Sequence, residues 1–86
     1  MKKIDIESCV QIYNAETAVA YAQIINTIVW CQTSDELHER LNVVKQILTV
    51  HLHFEWGFGK HHFWLKQRKE LHSEELIEDR ILIVTF

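Results

Sequence analysis

Glycine occurs at two positions in this chain, Gly57 and Gly59, and proline at none. Gly57-Phe58-Gly59 is therefore the one obvious break, and no flexible linker or internal repeat divides the rest. A single domain over residues 1–86 is expected. A domain of this length hides only about 60–65% of the surface its open chain exposes, which leaves room for one core and not for two.

Nearly half the residues are apolar and a quarter are charged, which disfavours disorder and low complexity, and the chain is expected to fold. The formal net charge of −3 gives no global field that would draw nucleic acid or an anionic membrane. Any such binding has to be local. No apolar run approaches the roughly 18–20 residues that span a bilayer. Met1-Lys2-Lys3 leads into Ile4-Asp5-Ile6-Glu7 rather than an apolar signal core, and a cytoplasmic location without membrane contact is expected. Cys9 and Cys31 are too few for a disulfide framework and do not form a metal-type pair. They read as ordinary reduced residues.

The periodicity gives the elements. Ile4, Ile6, Val10 and Ile12 alternate with polar neighbours from Lys3 to Gln11, as in a strand with one wet face. Asn14 can cap a helix in which Ala15, Ala18, Ala22, Ile25 and Val29 form one stripe and Tyr21, Ile24 and Ile28 the next. Glu16, Gln23 and Thr27 leave only a narrow polar strip, so this helix must be covered by a sheet and also by a second helix or another subunit. Thr33-Ser34-Asp35-Glu36 reads as a capping box. Leu37, Leu41, Val44 and Leu48 follow at helical spacing with Ile47 beside them, and Glu36 with Arg40 on the wet face. The period then switches to two: Val50, Leu52, Phe54 and Trp56 alternate with His51, His53 and Glu55 up to the glycines.

Residues 60–71 fit a strand returning from the turn, or a helix with Trp64, Leu65 and Leu71 on one side; the strand is favoured. Ser73 to Glu78 can form a short capped helical turn, and Ile81 to Phe86 is a β-branched run suited to an interior strand. The expected fold is α+β: two helices packed on one face of a small, mostly antiparallel sheet, in the order β-α-α-β-β-(short α)-β.

Four of the six histidines flank the turn. If the hairpin pairs symmetrically about Phe58, Glu55 faces His61, and His53, Glu55 and His61 converge with His51 nearby. Two imidazoles and a carboxylate are ligand chemistry for zinc or iron. The competing reading makes them the solvated face of a strand, which a one-residue slip would scatter; no cofactor is expected. Lys60, His61, His62, Lys66, Arg68 and Lys69 interleave with Phe63 and Trp64, as a single-stranded nucleic-acid binder would require. The acidic run Glu70, Glu74, Glu75, Glu78 and Asp79 argues against it. Neither cysteine has an elbow or oxyanion loop around it, and the two glycines do not make a phosphate loop, so an enzyme is not expected.

The aromatic supply remains. Trp30, Phe54, Trp56, Phe58, Phe63, Trp64 and Phe86 exceed what so small a core can enclose, and Phe58 stands between two glycines at the tip of a turn. Trp56, Phe58, Phe63 and Trp64 with Arg68 are the expected partner-binding residues. The expected function is a small inhibitor, immunity or regulatory protein that binds another protein or itself as a homo-oligomer.

Overall fold

The computed structural model describes residues 2–6, 12–68 and 76–86. Strand β1 (Lys3–Ile6) is followed by helices α1 (Ala15–Trp30) and α2 (Ser34–Ile47), and then by strands β2 (His51–Gly57), β3 (Lys60–Arg68) and β4 (Leu76–Thr85). The four strands form one antiparallel sheet in the order β1-β4-β3-β2, so the fold is α+β. Among the described residues no helix is long and apolar enough to cross a membrane.

Each helix begins at the cap its sequence offers. Asn14 Oδ1 accepts from the Thr17 amide at 2.9 Å and from the Thr17 hydroxyl at 3.0 Å, which lets Thr17 be fully buried with its polar atom satisfied. Thr33 Oγ1 accepts from the Glu36 amide at 3.1 Å, and the Glu36 carboxylate reaches back to the amide of Gln32 at 3.2 Å while Arg40 donates to its other oxygen.

The buried stripe of α1 is Thr17, Ala20, Ile24 and Ile28, with Tyr21 and Ile25 packed beside it. Ala15, Ala22 and Val29, which the spacing alone also allowed inside, lie in solvent. The helix is apolar on two stripes and the sheet takes only one of them. Leu37 and Leu41 of α2 close the core against Leu52, Phe63, Leu65, Ile81, Leu82 and Val84 from the sheet. Each such side chain contributes roughly 1.5–3 kcal/mol by leaving water.

The last third of the chain departs from expectation. Leu76, Ile77 and Glu78 belong to β4 rather than to a short helix, and Ser73 to Glu75 lie outside the described residues. The reason is a partner ladder: Arg68, Gln67 and Lys66 of β3 pair with Leu76, Ile77 and Glu78, and this extended pairing outweighs a single turn of helix. The register shifts between Phe63 and Trp64, whose partners are Leu82 and Arg80, leaving Ile81 as the extra residue of a bulge. Two consecutive side chains, Ile81 and Leu82, can therefore both be buried. The expected first strand is present from Lys3 to Ile6, and its continuation through 7–11 lies outside the described residues.

Lys2 ties β1 to the end of α1. Helix α1 carries no basic residue in its last turn, yet the Lys2 ammonium donates to the carbonyls of Ile28, Val29 and Cys31 at 2.5, 2.9 and 2.5 Å. A cation there satisfies orphan carbonyls and opposes the negative end of the helix dipole. Lys2→Met is expected to cost about 1–2 kcal/mol, a fall of several degrees in melting temperature. Lys3→Met should change little, because Lys3 is 74% exposed at 3.9 Å from Asp5. Thermal unfolding of the two variants side by side checks this.

Candidate functional site

The hairpin of β2 and β3 turns on two residues. Gly57 pairs with Lys60, so the loop is Phe58-Gly59, with φ of +53° and +75°. Positive φ at both central positions is the geometry of a type I′ turn, whose twist matches that of the flanking strands. Gly59 meets this requirement without strain, whereas Phe58 carries a large side chain in the left-handed region. That side chain is fully exposed. The Phe86 amide donates to the Gly59 carbonyl at 3.2 Å, which brings the half-buried Phe86 ring to the same end of the sheet.

This register is one residue away from symmetry about Phe58, and it decides which face each side chain takes. Pairs Trp56 with His61, Phe54 with Phe63 and Leu52 with Leu65 face the helices; Glu55 with His62, His53 with Trp64 and His51 with Lys66 face the open side. The expected partner-binding residues are therefore not gathered in one place. Phe63 is fully buried, and Trp56 lies 54% exposed at the rim of the helix face, 5.9 Å from the ring of His38. Phe58 is at the tip, and Trp64 and the exposed Arg68 are on the open face.

The expected metal set is divided by the same register. His53 and Glu55 lie 3.3 Å apart on the open face, but Glu55 has His62 opposite it, and His61 points through to the core. Among the described residues no three His, Cys, Asp or Glu side chains are placed to hold a metal ion. The basic-aromatic segment is better ordered. Lys60, His62, Trp64, Lys66 and Arg68 share the open face, with Arg80 lying 5.5 Å over the Trp64 ring. Its surroundings are mixed in sign: Lys66 pairs with Glu78 at 3.6 Å, and Asp5 and Glu55 stand on the same face. Lys69 lies outside the described residues, as does Cys9. Cys31 is buried, and burial together with the Glu36 carboxylate pushes its thiol up from the ordinary value, away from the thiolate a nucleophile needs.

A family model described as a domain of unknown function, DUF8466, matches residues 2–84. The chain belongs to this family. No curated protein and no solved structure matches it. The matched span includes both helices, strands β1 to β3 and β4 up to Val84, the hairpin tip among them.

In this DUF8466 domain the histidine that sequence reasoning misplaced is a core residue. His61 is fully buried, with Nε2 2.8 Å from Ser34 Oγ at the start of α2 and Nδ1 without a hydrogen-bond partner. Rings surround it: His38 at 4.7 Å, Phe86 at 5.7 Å, Trp56 at 6.0 Å and Phe63 at 6.2 Å between centroids. Burial, and secondarily the neighbouring His38, lower its pKa to about 4. The signal was available in the sequence: His61, Phe63, Leu65 and Gln67 stand at even spacing and are all buried.

The sign of the consequence is fixed. The unfolded chain takes up the His61 proton near the ordinary value of 6.5, and the folded chain resists it down to about 4. Stability is then present in full above about 6.5 and is lost as the pH falls from there toward 4, by up to about 3 kcal/mol. Urea unfolding across that range should show the wild type losing stability more steeply than His61→Phe. Parallel slopes for the two proteins would contradict the assignment.

Proposed function

We propose that this domain is a small, non-enzymatic protein-interaction module of the inhibitor, immunity or regulatory kind, working in the cytoplasm, and that it docks through the tip of the β2–β3 hairpin. Phe58 is the anchor, and Trp56 and Phe86 are the apolar shoulders on either side. The observation that carries this reading is the state of Phe58: a bulky side chain in the left-handed region, wholly in water.

Folding gains nothing from such a residue. Asn or Gly at that position would relieve the backbone, and neither would expose a ring. A residue that the fold would be better without is one that a partner can use, because an exposed aromatic on a rigid turn enters a pocket at little entropic cost. The open face supports docking less well: Arg80 and the rings of His53 and His62 already crowd Trp64, and its cations alternate with carboxylates. Within the hairpin, the aromatic surface left uncovered is the tip.

Phe58→Asn is therefore expected to stabilise the domain, by about 0.5–1 kcal/mol, seen as a rise of about 2–8 °C in melting temperature. A photo-crosslinking phenylalanine analogue at position 58 should give a discrete protein adduct in cells, while the same analogue at the exposed Glu39 of α2 gives none. A fall in stability for Phe58→Asn, or identical crosslinking from both positions, would contradict the reading.

A further inference from the structure

Among the described residues strand β2 ends the sheet, and of the devices that keep an edge strand from pairing its seven residues carry a single carboxylate, Glu55, with no proline, no lysine and no bulge. The opposite edge, β1, covers Lys3–Ile6 among the described residues and carries both Lys3 and Asp5. Gly57 and Lys60 close a two-residue hairpin, so that pair exchanges both of its hydrogen bonds, and the alternation of an antiparallel ladder then assigns Leu52, Phe54 and Trp56 to the free edge. Their N–H and C=O groups point away from β3. Three evenly spaced residues thus offer a row of main-chain donors and acceptors.

The sequence of β2 is complementary to itself when reversed about Phe54. Antiparallel to a second copy, Phe54 faces Phe54, Leu52 faces Trp56, and His53 faces Glu55 twice, once on each side of the two-fold axis. The hydrogen-bonding phase agrees, since Phe54 with Phe54 and Leu52 with Trp56 are then hydrogen-bonded pairs, and His53 with Glu55 falls in the non-hydrogen-bonded pair between them, where side chains lie closer. Centring the pair on His53 or on Glu55 instead sets like against like and shortens the overlap. The apolar side chains all fall on the helix face, where half-buried Phe54 and half-exposed Trp56 need cover.

We propose that the domain forms a two-fold dimer through its β2 edges, joining two four-stranded sheets into one of eight strands, with the His53 and Glu55 side chains of both copies meeting across the axis. The interface is isologous and closed, so it stops at two chains. It goes beyond the docking reading above: the two surfaces meet at Trp56, but the anchor Phe58 lies past the end of the paired segment and remains at each tip.

Light scattering coupled to size exclusion is expected to give twice the 10.3 kDa chain mass. His53→Glu, at an exposed position, replaces both complementary contacts with carboxylate pairs and should raise the dissociation constant by about tenfold or more. Adding Glu55→Lys to it sets opposite charges across the axis and should restore the dimer. Circular dichroism melts show whether each variant is folded; if His53→Glu is not, Glu55→Lys alone, which sets lysine against histidine, serves in its place. A monomeric wild type at high concentration would overturn the proposal, as would a dimer indifferent to His53→Glu. Phe58→Asn separates the two readings. Loss of the dimer in that variant would assign self-association to the tip and refute the edge, whereas an intact dimer supports the edge and leaves the tip to the crosslinking comparison of positions 58 and 39.

Discussion

The register of the β2–β3 hairpin is the constraint from which the rest of this structure follows. A two-residue turn at Phe58-Gly59 pairs Trp56 with His61, and in a pleated strand that one assignment places every later side chain. It puts His61, Phe63, Leu65 and Gln67 against the helices and Lys60, His62, Trp64, Lys66 and Arg68 on the open face. A slip of one residue would bury a run of cations and expose the largest core side chain, Phe63. The cost of that alternative, several buried charges without partners, exceeds the strain of holding a phenylalanine at positive φ.

Much of the fold was legible because local chemistry and tertiary need agree. Asn14 and Thr33 are caps in sequence and in structure, Leu37 and Leu41 are inside, and the change from helical to alternating period after Thr49 marks the start of β2. The candidate site was less legible. Gly57-Phe58-Gly59 invites a bend centred on its middle residue, and the rules for two-residue turns favour Asn-Gly rather than Phe-Gly. The offset of one residue exchanged His61 for His62 and divided the proposed metal ligands between the two faces. The length of β4 was hidden for a different reason: Ser73 to Glu78 carries cap-like residues, and only pairing with β3 shows that Leu76 onward is strand.

The aromatic surplus divides along the same line. Phe63 is absorbed by the core, and Phe54 and Phe86 pack partly against it. Trp64 is held among His53, His62 and Arg80. What stays uncovered is Phe58 and much of Trp56, together with Trp30 at the far end of α1. The hairpin thus combines a rigid stem, fixed by the buried face of β3, with a tip and an edge that the single chain leaves unused. A binding element of this kind loses little conformational freedom on docking, which is how a small surface can be made effective.

Because so much depends on one pairing, the most direct test is to read it in solution. In an antiparallel ladder, α-protons approach closely across the pairs that do not exchange hydrogen bonds, and the register described here places Trp56 with His61 and Phe54 with Phe63 in such pairs. Nuclear Overhauser contacts between the α-protons of those two pairs are the expected result. Contacts from Glu55 to His61 and from His53 to Phe63 would mean a bend centred on Phe58, and the account of core, tip and edge would fall with it.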